Sequence, residues 1–95
     1  SNNKLRGPIV DGLGKLDSLK SINLSFNYFD GEIPVNLIEN ENLELLYVHV
    51  NNLNGNIAEV YCQRENPIKF LFYNNGFCPP FPDCMKYIGK QDCKN

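Results

Sequence analysis

The residues best equipped for covalent chemistry are four cysteines, Cys62, Cys78, Cys84 and Cys93, all in the last third of a 95-residue chain. A structural zinc site draws its ligands from closely spaced C-x2-4-C pairs, whereas fifteen, five and eight residues separate these. Two disulfides are therefore expected, and they place the chain in an oxidising, extracellular compartment. Four cysteines admit three pairings, and the spacing leaves all three open. His49 is the only histidine. As a base it would need a nucleophile and a carboxylate in line. The neighbouring outward positions offer Ser25 and Tyr73 but no acid. Asp30, Glu32, Glu39, Glu41, Glu44 and Glu59 fall on the opposite or flanking side as a solvated face. With no glycine-rich phosphate loop and no metal-ligand cluster, the chain is expected to be no enzyme and to need no cofactor. Asn23-Leu24-Ser25 is an N-glycosylation sequon, which makes Asn23 a candidate attachment point.

What positions these groups is a repeat. Asn27, Asn51 and Asn75 recur with a constant period of 24, and Asn3 extends the series backwards. Around Asn51 the apolar residues are Leu43, Leu46, Val48, Leu53 and Ile57; one period earlier stand Leu19, Ile22, Leu24, Phe29 and Ile33, and one period later Phe70, Phe72, Phe77 and Phe81. A fixed period in the twenties is the signature of a solenoid. Leu46 and Val48, two apart, share one side of a short strand, so Tyr47 and His49 point to the other. At the corner after the strand an inward Asn supplies an acceptor and two donors. It can thereby satisfy turn backbone groups that would cost about 1–3 kcal/mol each if left unpaired.

The pattern L-x-x-L-x-L-x-x-N-x-L-x-G-x-I-P, complete at Gly31-Glu32-Ile33-Pro34, resembles the 24-residue, plant-specific leucine-rich repeat of receptor-kinase ectodomains and polygalacturonase inhibitors. Residues 19–37 keep it well; in 43–61 Ala58 replaces the proline, and near the start Gly7-Pro8-Ile9-Val10 departs from it. The resemblance implies an α/β repeat solenoid, a right-handed coil with a short parallel β-sheet on its concave face. The convex side would be mostly turn and 3-10 structure, with a short outer strand or turn in each coil. Residues 1–77 would hold the repeats, a partial one over 1–18 and then about 2.5 more, and 78–95 a disulfide-closed C-terminal cap. By the same resemblance Cys78 would pair with Cys84, and Cys62 with Cys93.

Strands are expected over 19–27, 45–50 and 68–74, with Ile9, Leu13 and Leu16 turned inward in the coil before them. Outward positions then align in columns: Ser21, Leu45 and Lys69; Asn23, Tyr47 and Leu71; Ser25, His49 and Tyr73. Outward Leu and Tyr on a polar surface point to contact with a ligand, and these nine residues are the candidate binding set. Strands lie about 4.8 Å apart, so three of them offer less than the roughly 800 Å² per partner of a standard interface.

The formal charge of −2, with both signs interspersed, argues against nucleic acid or an anionic membrane as a partner. No apolar run is long enough to span a bilayer. Ser1 opens in mid-repeat with no leader pattern, so further repeats or a neighbouring subunit are expected at the N-terminal end. Two functions fit: a secreted or cell-surface module that recognises a protein, peptide or glycan, or a structural subunit that stacks through its uncapped end. The sequon weighs between them, since a glycan on Asn23 would obstruct the binding face, although the repeat consensus produces L-x-L-S by itself.

Overall fold

The computed structural model describes residues 4–10, 12–13, 16, 18–57, 59–85 and 87–93. The chain coils, and each coil contributes one strand to each of two parallel sheets. The outer strands are β1 (Arg6–Pro8), β3 (Tyr28–Gly31), β5 (Asn52–Gly55) and β7 (Gly76–Phe77). The inner strands are β2 (Ser21–Asn23), β4 (Leu45–Tyr47) and β6 (Lys69–Leu71). Helix α1 (Val35–Glu39) and a 3-10 turn over Glu59–Gln63 lead back to the next inner strand. The inner sheet runs β2-β4-β6 and the outer one β1-β3-β5-β7. The second sheet is thus a continuous four-stranded layer rather than isolated outer turns.

The inner register pairs Ser21 with Leu45 and Lys69, and Asn23 with Tyr47 and Leu71, as the period requires. The strands are shorter than expected, three residues each. Cross-coil bonds continue irregularly beyond them, from Phe26 N–H to the His49 carbonyl and from Val50 N–H to the Tyr73 carbonyl. They reach one residue past the points where Phe26, Val50 and Asn74 turn left-handed, at φ 58°, 59° and 56°, since the Asn27 and Asn51 N–H groups still donate to the Val50 and Asn74 carbonyls. That conformation, again recurring every 24 residues, swings the chain out of the inner sheet toward the outer one.

Between the sheets lie Ile22, Leu37, Ile38, Leu43, Leu46, Val48, Leu53, Ile57, Ile68, Phe72 and Phe77, all buried. Ile9 joins them and Leu13 packs against them. Leu16, expected inward, is 50% exposed.

The asparagines form the expected ladder. Asn27, Asn51 and Asn75 are buried. Each gives its carboxamide N–H to the carbonyl three residues back, Leu24, Val48 and Phe72, at 3.1, 3.0 and 3.1 Å. Asn51 and Asn75 also reach the Leu24 and Val48 carbonyls of the preceding coil, at 2.9 and 3.0 Å. Their oxygens accept the backbone N–H groups of Leu5, Phe29 and Leu53. Asn3 and Ala58 lie outside the described residues.

The disulfides differ from the pairing that the family resemblance implied. Cys62 bonds Cys84 and Cys78 bonds Cys93, with Cα separations of 5.7 and 4.8 Å, inside the normal disulfide range. Gln91 is the cause for the second. It bridges Asn75 in parallel and accepts the Phe77 N–H, which brings Cys93 against Cys78. Cys84 is then left to face Cys62 on the 3-10 turn. Each bond ties the terminal segment to the coil, whereas a Cys78–Cys84 bond would only have closed a loop on itself.

Candidate recognition face

The outward residues of the inner sheet come together as expected, with two exceptions. Ser21, Asn23 and Lys69 are exposed, while Leu45, Tyr47, Leu71 and Tyr73 are half-buried. Ser25 and His49, expected outward and open, are only 3% and 7% exposed. Ser25 is held down by its own strand: its hydroxyl donates to Asn23 Oδ1 at 2.6 Å, and its N–H donates to the same oxygen at 3.1 Å.

His49 is covered by aromatic rings from the coils on both sides. It stacks on Tyr73 at 4.7 Å between centroids and meets Phe26 and Tyr47 edge-on at 5.3 and 5.6 Å. Tyr73 in turn meets Tyr87 at 6.4 Å, and the Lys69 ammonium lies 5.8 Å from the Tyr47 ring centre. Such ring pairs contribute about 0.5–1.5 kcal/mol each beyond their burial. Burial pushes the His49 imidazole below its usual titration range. Its buried Nδ1 has no hydrogen-bond partner among the described residues. The structure places His49 as a ring packed among Phe26, Tyr47 and Tyr73.

Sequence reasoning missed two members of this row. Phe26 is 45% and Tyr87 66% exposed, extending the aromatic surface past both ends of the expected columns. Phe26 follows the last alternating strand position, where the alternation rule stops applying. Its signal was the 24-residue alignment with Val50 and Asn74. Tyr87 lies in the terminal segment, where no repeat register exists. On the flank, at the corner between inner and outer strands, a polar cleft of about 490 Å³ is lined by Asn52, Asn54, Asn74, Lys90 and Asp92 among others.

A second polar column stitches the opposite side. Asn40 donates back to the Leu16 carbonyl at 3.2 Å. Arg64, 24 residues later, donates to the Ile38, Asn40 and Leu43 carbonyls at 2.6, 2.7 and 2.7 Å. Its charge is therefore committed to backbone.

A family model described as Leucine Rich Repeat matches residues 18–39. Together with the two parallel sheets and the asparagine ladder, that decides the class. The chain folds as a leucine-rich-repeat solenoid. It is 39% identical over 56 residues to phytosulfokine receptor 1 of Arabidopsis thaliana, covering 59% of this chain and 6% of that protein. Receptor like protein 28 of the same plant is 38% identical over 56 residues, covering 58% and 7%. This leucine-rich-repeat chain thus spans only a small part of these relatives.

Among solved structures it superposes on a chain of the BIR3–SERK2 complex from Arabidopsis thaliana with a TM-score of 0.78 at 23% identity, covering 94% of this chain and 56% of that one. It also superposes on the plant peptide hormone receptor RGFR1 in complex with RGF2, at 0.75 and 38% identity, covering 85% and 13%. A TDR receptor gives 0.71 and 33%, covering 79% and 13%. Among the described residues no helix is long and apolar enough to cross a membrane.

Proposed function

We propose that this chain is a non-catalytic, extracellular recognition module that binds a protein or peptide through the inner-sheet face, with Leu45, Tyr47, Lys69, Leu71 and Tyr73 as the central contacts. One observation carries the reading: half-buried aromatic and aliphatic side chains sit in register across successive coils, with the Lys69 ammonium beside them. The sheet spends its backbone hydrogen bonds between coils, so a ligand would be gripped by side chains. Rigid aromatics give up little conformational freedom on binding, and clusters of them dominate interface energetics. A peptide partner is favoured by the kind of protein the chain resembles, a plant peptide hormone receptor solved in complex with RGF2. A glycan remains the alternative ligand of the same face.

The test is selection of binders from a displayed random-peptide library against the disulfide-bonded chain. Affinities are then measured for Leu71→Ser and Tyr73→Ser and for the outer-side variant Glu65→Ser. Loss of about 30-fold or more on the inner face, with no change on the outer side, is expected for contacts of hot-spot quality. Selected peptides that bind all three variants alike would sink the proposal.

A second reading has its own observation. The end that carries β1 and β2 exposes Leu5, Val10 and Leu16, and β2 is the outermost inner strand. An open strand edge beside apolar side chains invites another strand. Further repeats or a neighbouring copy would cover it. Sedimentation of the isolated chain across concentration distinguishes the two, because a copy-to-copy contact makes mass rise with concentration.

A further inference from the structure

Asn23 is the only asparagine of the chain that stands two residues before a serine or threonine, and its structural setting is unusual for a repeat position. Its Oδ1 is fully used by the Ser25 N–H and hydroxyl. Its side chain is nevertheless exposed, and among the described residues no hydrogen bond from Nδ2 holds it to the coil. A substituent on Nδ2 would therefore leave both local hydrogen bonds in place. Beside it, Tyr47 is its register partner on β4. Lys69 approaches Tyr47 from the β6 side, so the side of the ring toward β2 is the one that Asn23 borders. Three residues on, Phe26 holds an aromatic ring 45% exposed in a left-handed backbone conformation that costs a non-glycine residue free energy. One side of that ring meets His49 and the rest is open to solvent.

We propose that Asn23 carries an N-linked glycan and that the exposed faces of Phe26 and Tyr47 are the platform on which its first sugar lies. The proposal rests on the extracellular reading above, because only the secretory route delivers the chain to the donor. In the transfer, Nδ2 of Asn23 attacks the anomeric carbon of a lipid-diphosphate-linked oligosaccharide. The Nδ2–C1 bond forms, the C1–oxygen bond to the diphosphate breaks, and the lipid diphosphate leaves while the carboxamide gives up one proton. Ser25 is buried in the folded coil, so transfer takes place before the coil closes. Once attached, the apolar C–H face of the sugar meets the negative face of a ring and removes apolar surface from water. The glycan then occupies the β2 margin of the face, and the ligand is confined to β4, β6 and the terminal segment.

The chain is produced with a leader sequence in human cells and, unglycosylated, in a bacterial periplasm, with Phe26→Ala made in both. Peptide N-glycosidase treatment and mass mapping read the sugar, and thermal unfolding reads the platform. The expected result is a sugar released with conversion of Asn23 to Asp and absent from N23Q. The glycosylated form unfolds about 4 °C higher than the bare one, a size one stabilising contact produces in a domain this small, and Phe26→Ala removes that difference. A secreted, disulfide-bonded chain with a bare Asn23 overturns the attachment. A sugar on Asn23 whose stabilisation is the same with and without Phe26 overturns the platform. The extracellular reading is scored separately by a mass gain of about four daltons on reduction of two disulfides. The leader exposes the chain to the transferase whatever that result, so the state of Asn23 is read in either case.

Discussion

Gln91 does for Asn75 what Asn75 does for the coil before it. Its Oε1 accepts the Phe77 N–H at 3.0 Å, and its Nε2 donates to the Phe72 and Ile88 carbonyls at 3.0 and 3.1 Å. These are the equivalents of the acceptor and donor bonds that Asn75 makes to Leu53, Val48 and Phe72. The asparagine ladder therefore gains a further rung after an interval of 16 residues instead of 24, with a longer carboxamide reaching across a shortened coil. The last turn of the core is closed by chemistry as well as by disulfides.

Gln91→Leu is expected to destabilise the chain by about 2 kcal/mol, because it strands the Phe77 N–H and the Ile88 carbonyl, which cost about 1–3 kcal/mol each when left unpaired, while the Phe72 carbonyl keeps the Asn75 carboxamide. Gln91→Asn should recover little of this, since its shorter arm cannot span both sides. Urea unfolding followed by circular dichroism measures both. A neutral Gln91→Leu would mean the rung is ornamental.

Arg64 offers a parallel test on the opposite side of the coil. Arg64→Met removes the donors to three carbonyls and is expected to cost about 2 kcal/mol. Arg64→Lys should restore less than half, because an ammonium cannot reproduce the planar fork of a guanidinium. Equal stability of the Lys and wild-type chains would contradict the geometry.

Val50 holds a β-branched side chain at φ 59°, a conformation that costs non-glycine residues roughly 1–2 kcal/mol. Asn74, one period later, shows which residue suits the corner. Val50→Asn is expected to raise stability by about 1 kcal/mol, and Asn74→Val to lower it by a similar amount. The two variants moving in the same direction would contradict this account of the corner.

The pH dependence follows from His49. Burial holds its folded-state pKa below the unfolded value, so on acidification the unfolded chain takes up a proton first. Stability is then lost as pH falls through the ordinary histidine range near 6.5 and is fully present above it. His49→Phe should flatten that part of the stability profile while the carboxylate limb at lower pH persists. An unchanged slope between pH 7.5 and 5.5 would show that the imidazole titrates freely.

Much of the fold was legible because a solenoid repeats its own answer. Asn27, Asn51 and Asn75 announce the ladder, and the strand columns follow from alternation on either side of them. What could not be read was whatever breaks the period or depends on a neighbouring coil. Gln91 sits out of step and is a different residue type. Arg64 is in step with Asn40 and Leu16, but three unlike side chains make no visible column. The disulfide pairing follows from where Gln91 docks, so it was hidden with it. Alternation placed Ser25 and His49 outward, yet a hydrogen bond to Asn23 and rings from adjacent coils bury them. These are tertiary effects with no signal in one strand.

The most direct test of the recognition face is an NMR titration of the 15N,13C-labelled, disulfide-bonded chain with a peptide from the library selection. The account predicts that the perturbed signals cluster on Leu45, Tyr47, Lys69, Leu71 and Tyr73, with Tyr87 at the margin. Perturbations clustered instead around Glu39, Glu41, Val60 and Glu65, on the opposite side of the coil, would contradict it.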